Sequence, residues 1–257
     1  MNTPTPPLTD GLIRPSLDRR TAMRLAATEY RRMAEALADL RADDWSLCTE
    51  CPNWDVRQMG CHMVGMAAMA TSPREQKRQL GRAAAEVAAR GVTPLDALTG
   101  VQVFERAEWT PTQVVEAARK VGPRAARGRR FTPGFIRRHE LPAPQTVNGR
   151  VEHWSIGYLV DVILTRDPWM HRMDIARATR RDPHLTAAHD GVIVADVVAE
   201  WAGRHEGAYR LSLTGPAGGT WSRGYEGQPI EMEAVDFCRV ISGRGAGDGL
   251  LAVQVPF

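Results

Sequence analysis

Apolar positions along this chain recur mostly at helical spacing. Over 21–40, Leu25, Met33, Leu37 and Leu40 fall on one stripe, while Arg24, Arg31, Arg32 and Glu35 supply the wet side. After a short turn around 45–54, a second helix is expected to open at Asp55, whose side chain can cap it while Gln58 reaches back to the cap. Its stripe is Val56, Met59, Met63, Met66 and Ala70, with His62 at the flank. Residues 73–91 read as an Ala-, Arg- and Lys-rich helix. Two shorter ones follow over 94–107 and 111–121, the latter starting at Thr110-Pro111. The stretch 122–150 is rich in Pro, Gly and Arg and reads as an elaborated connection with little regular structure. The helical period returns over 154–179, with Leu159, Val162, Ile163, Met170 and Met173 as its core face and Pro168 expected to kink or open it. A further helix is expected over 186–203.

The texture changes after Glu206. Tyr209, Leu211 and Leu213 alternate with Arg210, Ser212 and Thr214, and Gly215, Gly218 and Gly219 turn the chain towards Trp221, which predicts a hairpin. A helix over 233–242, ended by Gly243, and a closing strand over 250–257 complete the pattern. The expected organisation is a flexible N-terminus over 1–15, a helical domain over 16–205 and a small α+β domain over 206–257, mainly α as a whole.

With 257 residues, 43% apolar and 25% charged, the chain can bury a substantial core and has the composition of an ordinary globular protein. A net charge of +3 does not demand a nucleic-acid partner. The arginines over 119–138 are interleaved only with Phe131 and Phe135, so they read as a solvated basic stretch, and no nucleic-acid partner is expected. No apolar run approaches the roughly 20 residues of a membrane span. The start lacks the charged and apolar regions of a signal peptide, so a cytoplasmic location without membrane attachment is expected. In that compartment Cys48, Cys51, Cys61 and Cys238 should be reduced. The Cys48-x-x-Cys51 spacing with Cys61-His62 admits a structural zinc site. Helical neighbours point about 100° apart, however, so free, half-buried thiols are the better expectation.

The candidate chemistry lies in Asp167-Pro168-Trp169-Met170-His171. A carboxylate and an imidazole four residues apart share one helix face. With His62 as a third donor they make two imidazoles and one carboxylate, the set of an open, catalytic metal site. Asp174 is either a further ligand or the partner that orients His171. The plain alternatives are a solvent-side Asp–His pair, a satisfied core histidine, and an Asp174–Arg177 surface pair.

Trp45, then Cys51-Pro52-Asn53-Trp54-Asp55-Val56-Arg57 followed by His62, resembles the opening of the mycothiol-dependent maleylpyruvate isomerase family. Asp167 to Ala176 resembles that family's second ligand-bearing helix, and Ala234 to Arg244 its closing helix. The resemblance implies a DinB-like four-helix bundle followed by a sterol-carrier-type α+β domain. It implies a divalent metal, usually zinc, held by His62, Asp167 and His171, with Asp167 standing where relatives commonly carry Glu. It implies mycothiol as a low-molecular-weight thiol cosubstrate. It also implies a C-terminal arginine, Arg239 or Arg244, for the carboxylate of an unsaturated acid. The activity implied is addition of a metal-activated thiolate to a small electrophile, ending in cis–trans isomerisation or in S-transfer. Two other readings stand beside it: a metal-dependent hydrolase on the same bundle, and a binding module whose C-terminal domain holds an apolar ligand.

Overall fold

Residues 11–257 are described by a computed structural model; most of the N-terminal lead-in expected over 1–15 lies outside the described residues. The chain is mainly α. In order it forms α1 (Arg19–Ala38), α2 (Val56–Met69), α3 (Pro73–Arg90), α4 (Pro94–Phe104), α5 (Pro111–Arg130) and α6 (Gly134–Arg137). A short pair, β1 (Gln145–Val147) and β2 (Arg150–Glu152), precedes α7 (Ile156–Tyr158) and α8 (Leu164–Thr179). Then come α9 (Val192–Gly203), β3 (Tyr209–Thr214), β4 (Gly219–Arg223), β5 (Gln228–Glu233) and α10 (Ala234–Ile241). Two compact units result, Arg19–Pro133 with Asp167–Pro183, and Gly134–Arg166 with His184–Phe257 and the described part of Met1–Asp18. These spans differ from a single cut after 205, because residues 134–166 and 184–203 group with the C-terminal strands.

The first unit is a four-helix bundle of α1, α2, α5 and the C-terminal part of α8, joined on one side by α3 and α4. Its starts are set by local chemistry. Asp55 caps α2 by accepting from the Gln58 backbone N–H at 2.7 Å, while Gln58 Oε1 accepts from the Asp55 N–H at 2.9 Å. Thr110 and Gln113 repeat the device at α5, with Pro111 at the first helical position. Tyr30, Met33 and Leu37 of α1, Val56, Met59 and Met63 of α2, Val114, Ala118 and Ala125 of α5 and Ile175 of α8 share one core.

Helix α5 runs to Arg130, well past the end expected near 121. Pro123 removes one backbone donor but sits on the exposed side, while Val114, Ala118, Gly122, Ala125 and Arg129 continue a single buried face. Gly122 and Arg129 are weak apolar markers. They fit because the glycine lets α5 approach Tyr30 of α1, and the Arg129 guanidinium lies 5.5 Å from the Tyr30 ring. A second close approach is at Gly128, where a Cβ would run into the Ala70 carbonyl oxygen at the end of α2. Gly128→Ala gains up to about 1 kcal/mol of helix propensity, but overpacking against backbone costs about 1–3 kcal/mol. Chemical denaturation should show a net loss of stability.

In the second unit, Val147-Asn148-Gly149-Arg150 turns β1 into β2, with φ of 46° at Asn148 and 74° at Gly149. This is the left-handed pair of a tight hairpin turn, and it replaces part of the structureless connection expected over 122–150. The helix expected over 154–179 is interrupted. A widened turn at Leu159–Ile163 separates α7 from α8, and Pro168 lies inside α8. Leu164, whose carbonyl would meet the proline ring, has ψ of 3°, which turns that carbonyl off the regular ladder. The disturbance therefore falls one turn before the proline.

The sheet has the order β4-β3-β5, with Leu211 opposite Trp221 in the antiparallel pair and opposite Ile230 in the parallel one. The hairpin was legible as a pattern; β5 was not, because Pro229 argues against a strand and is tolerated only at a sheet edge. Tyr209, Leu211, Leu213 and Ile230 are buried with Phe237, Cys238 and Ile241 of α10. The closing strand expected over 250–257 is absent among the described residues. Gly249–Ala252 forms one helical turn, and the tail is tied by a bond from the Val255 N–H to the Ile241 carbonyl at 2.9 Å. Gly249 at φ of 59° and the missing donor of Pro256 leave little for a ladder. No helix among the described residues is long and apolar enough to cross a membrane.

Candidate metal centre

His62 projects from the middle of α2, and Asp167, His171 and Asp174 line one face of α8, all within the first unit. His62 Nε2 lies 3.6 Å from Asp167 Oδ2, and His171 Nε2 lies 3.5 Å from Asp167 Oδ1. One donor atom from each of the three falls within 4.8 Å of the others. The two imidazole rings meet edge to face at 5.0 Å. His62 is buried rather than merely flanking the core, at 3% exposure, yet neither of its ring nitrogens has a hydrogen-bond partner. Asp167 Oδ2 has none either. Buried polar atoms of this kind are rare unless something satisfies them.

Asp174 is fully buried and faces His171, its Oδ2 lying 2.9 Å from Nδ1. Arg177 is exposed and pairs with Glu50 at 3.3 Å, whereas Asp174 is buried and is not the surface carboxylate of that alternative. Burial alone would push the Asp167 carboxyl up; His171 and His62 beside it outweigh that and hold it well below the usual carboxylate range. Burial alone would lower His171; the Asp167 charge, then the bonds to Asp167 and Asp174, lift it well above the usual imidazole value. Next along α8, Arg172 makes a two-pronged pair with Glu29 of α1, at 2.8 and 3.2 Å, and donates to the Pro183 carbonyl at 2.7 Å. That pair fixes the turn of α8 carrying His171.

The loop before α2 forms a wall of the centre. Trp54 is half-buried, its ring 4.8 Å from that of His62 and 6.1 Å from that of His171. In the sequence it stood out only as part of a motif; its place directly before the Asp55 cap, eight residues before His62, was the available signal. Cys51, half-buried on the same loop, forms a second cluster with His171 and Asp174, again with donor atoms within 4.8 Å. Cys61, beside His62 in sequence, points elsewhere: its thiol contacts the Arg106 carbonyl, and burial pushes it up to about 11. Cys48 is exposed and Cys238 buried, and all four thiols are free.

Arg239 and Arg244 belong to the other compact unit. Arg239 pairs with Asp236 at 3.1 Å on α10, and Arg244 donates to the Ser242 hydroxyl at 3.3 Å just beyond it.

No family model matches this chain, and no curated protein matches it. Solved structures do share its fold. One is a mycothiol-dependent maleylpyruvate isomerase, with a TM-score of 0.55 at 16% identity, covering 91% of this chain and 92% of that one. Another is a histidine-to-alanine mutant of the mycothiol-dependent maleylpyruvate isomerase, with a TM-score of 0.54 at 15% identity, covering 90% and 91%. At such identities the likeness is one of fold, a helical body with a small α+β part.

Proposed function

We propose that this chain is a metal- and thiol-dependent enzyme of the maleylpyruvate isomerase type. A thiolate, from mycothiol, would add to a small electrophile, and the outcome would be cis–trans isomerisation of an unsaturated acid or S-transfer. One observation carries the reading: two imidazoles and a carboxylate converge, and the buried His62 ring has no hydrogen-bond partner at either nitrogen. The separations fit a cation. A tetrahedral ion with bonds of about 2.0–2.1 Å holds its ligand atoms about 3.3 Å apart; here each imidazole faces its own oxygen of Asp167, Oδ1 at 3.5 Å from His171 and Oδ2 at 3.6 Å from His62, and one donor atom of each residue lies within 4.8 Å of the others. The Asp167 carboxylate, though shorter than that of Glu, lies within 3.6 Å of both imidazoles, which supports this reading. The shared fold with the isomerase structures adds support.

A divalent ion at this centre, zinc being the expected one, would lower the pKa of a thiol ligand and keep it as thiolate. The chain's own groups prepare for that. Asp174 accepts from His171 Nδ1–H, which fixes the tautomer and turns the Nε2 lone pair towards Asp167 and His62. Asp167 stays ionised throughout the neutral range, leaving the centre one negative charge. Trp54 covers one side and limits water. For an acid substrate the proposed carboxylate partner is Arg239 or Arg244. Arg239→Ala and Arg244→Ala, compared on an unsaturated acid and on a neutral electrophile, assign the role: the responsible variant raises KM for the acid alone.

The pH dependence has a definite sign. With its raised pKa, His171 holds a proton at neutral pH when no ion is bound, so proton and cation compete for it. Zinc affinity should rise with pH beyond the ordinary imidazole range near about 6.5. Calorimetry in buffers of different ionisation enthalpy should show proton release on binding at neutral pH. The enzymatic reading is tested by turnover of unsaturated diacids and generic electrophiles with and without mycothiol. Activity only with the thiol is expected; metal-dependent activity without any thiol would point to a hydrolase and overturn it.

A further inference from the structure

We infer that Cys51, His171 through Nδ1, and Asp174 form a second cation position, selective for thiophilic ions, that competes with the His62–Asp167–His171 position for a single imidazole. The donors are already gathered, with one atom from each within 4.8 Å of the other two. His171 and Asp174 stand three apart on α8, so they lie on one face of a rigid element. Cys51 arrives on a pinned turn. Its N–H donates to Thr49 Oγ1 at 3.2 Å, its carbonyl accepts from the Trp54 N–H at 2.9 Å, and Thr49 Oγ1 donates to the Trp54 carbonyl at 2.8 Å. A sulfur, nitrogen and oxygen set of this kind favours zinc- or cadmium-like ions over magnesium or calcium.

The two positions exclude one another for a chemical reason. A neutral imidazole has one free lone pair and one N–H. A cation bound at Nδ1 displaces the hydrogen bond to Asp174 and leaves the ring proton on Nε2, which can then no longer serve the set with His62 and Asp167. Occupation releases the Cys51 thiol proton and the His171 Nδ1 proton to solvent and forms sulfur–metal and nitrogen–metal bonds, with no oxidant or reductant required. Thiophilic ions held there would thus withdraw His171 from the other set. The inference does not depend on which electrophile or thiol the chain uses.

The test is a titration of the full-length protein with Cd2+, reading the ultraviolet thiolate-to-metal charge-transfer absorption. The wild type should develop the band, Cys51→Ser should abolish it, and Cys48→Ser should keep it. His62→Ala weakens only the competing position, so it should develop the band at the same Cd2+ concentration or a lower one. Absence of the band in wild type, its persistence in Cys51→Ser, or its loss in Cys48→Ser would overturn the assignment. A higher Cd2+ requirement in His62→Ala would also overturn it, since Cys51 would then join one site with His62. Because the readout is sulfur ligation, its failure is distinct from failure of the thiol-dependent activity proposed above.

Discussion

Replacing His171 by alanine should abolish thiol-dependent turnover, and replacing His62 should come close to doing so. His171 lies 3.5 Å from Asp167 and 2.9 Å from Asp174, so its loss removes a ligand and a partner of both carboxylates. Loss of a partner that merely orients a ligand costs about 10–100-fold in metal affinity or activity, so loss of a ligand should exceed about 100-fold. His62→Ala also removes two unpartnered buried nitrogens, so it should leave the fold as stable as wild type or slightly more stable in the absence of metal. Activity lost with stability kept is the signature of a ligand. A satisfied core histidine would give the reverse, and melting curves beside the kinetic assay separate the two.

The largest effect on stability should come from Glu29→Ala. Glu29 and Arg172 are 1% and 2% exposed and joined by two hydrogen bonds, so the truncation takes this carboxylate away from a buried guanidinium. Breaking one side of such a pair costs about 3–5 kcal/mol, a large share of the 5–15 kcal/mol typical of a domain. Urea denaturation should show a lower midpoint with an unchanged slope. Glu29→Met with Arg172→Met together should recover much of the loss, because the two buried charges are then removed together. Glu29→Ala should also weaken zinc binding, since Arg172 holds the turn of α8 that carries His171.

Much of the fold was legible because the signals were local. The stripes of α1 and α2, the Asp55–Gln58 cap, the Thr110-Pro111 start and the alternation of β3 each need only a few neighbouring residues, and the structure contains all of them. The gathering of His62, Asp167 and His171 was legible from spacing on α8 joined to a motif on α2. What escaped depends on partners distant in sequence. The run of α5 past Pro123 is explained by Tyr30 of α1, against which Gly122 packs. Strand β5 exists because β3 offers it an edge despite Pro229. The proximity of Cys51 to His171 and Asp174 follows from the loop folding back over α8, which no spacing reveals. The hairpin at Asn148-Gly149 is different. Its signal was present, and the surrounding Pro and Arg obscured it.

Whether His62, Asp167 and His171 hold a divalent ion is decided by metal analysis of the purified chain. After exhaustive dialysis the wild type should retain close to one divalent ion per chain, and His62→Ala and Asp167→Ala should retain little. A wild type that retains none, or variants that keep it in full, would contradict the metal centre.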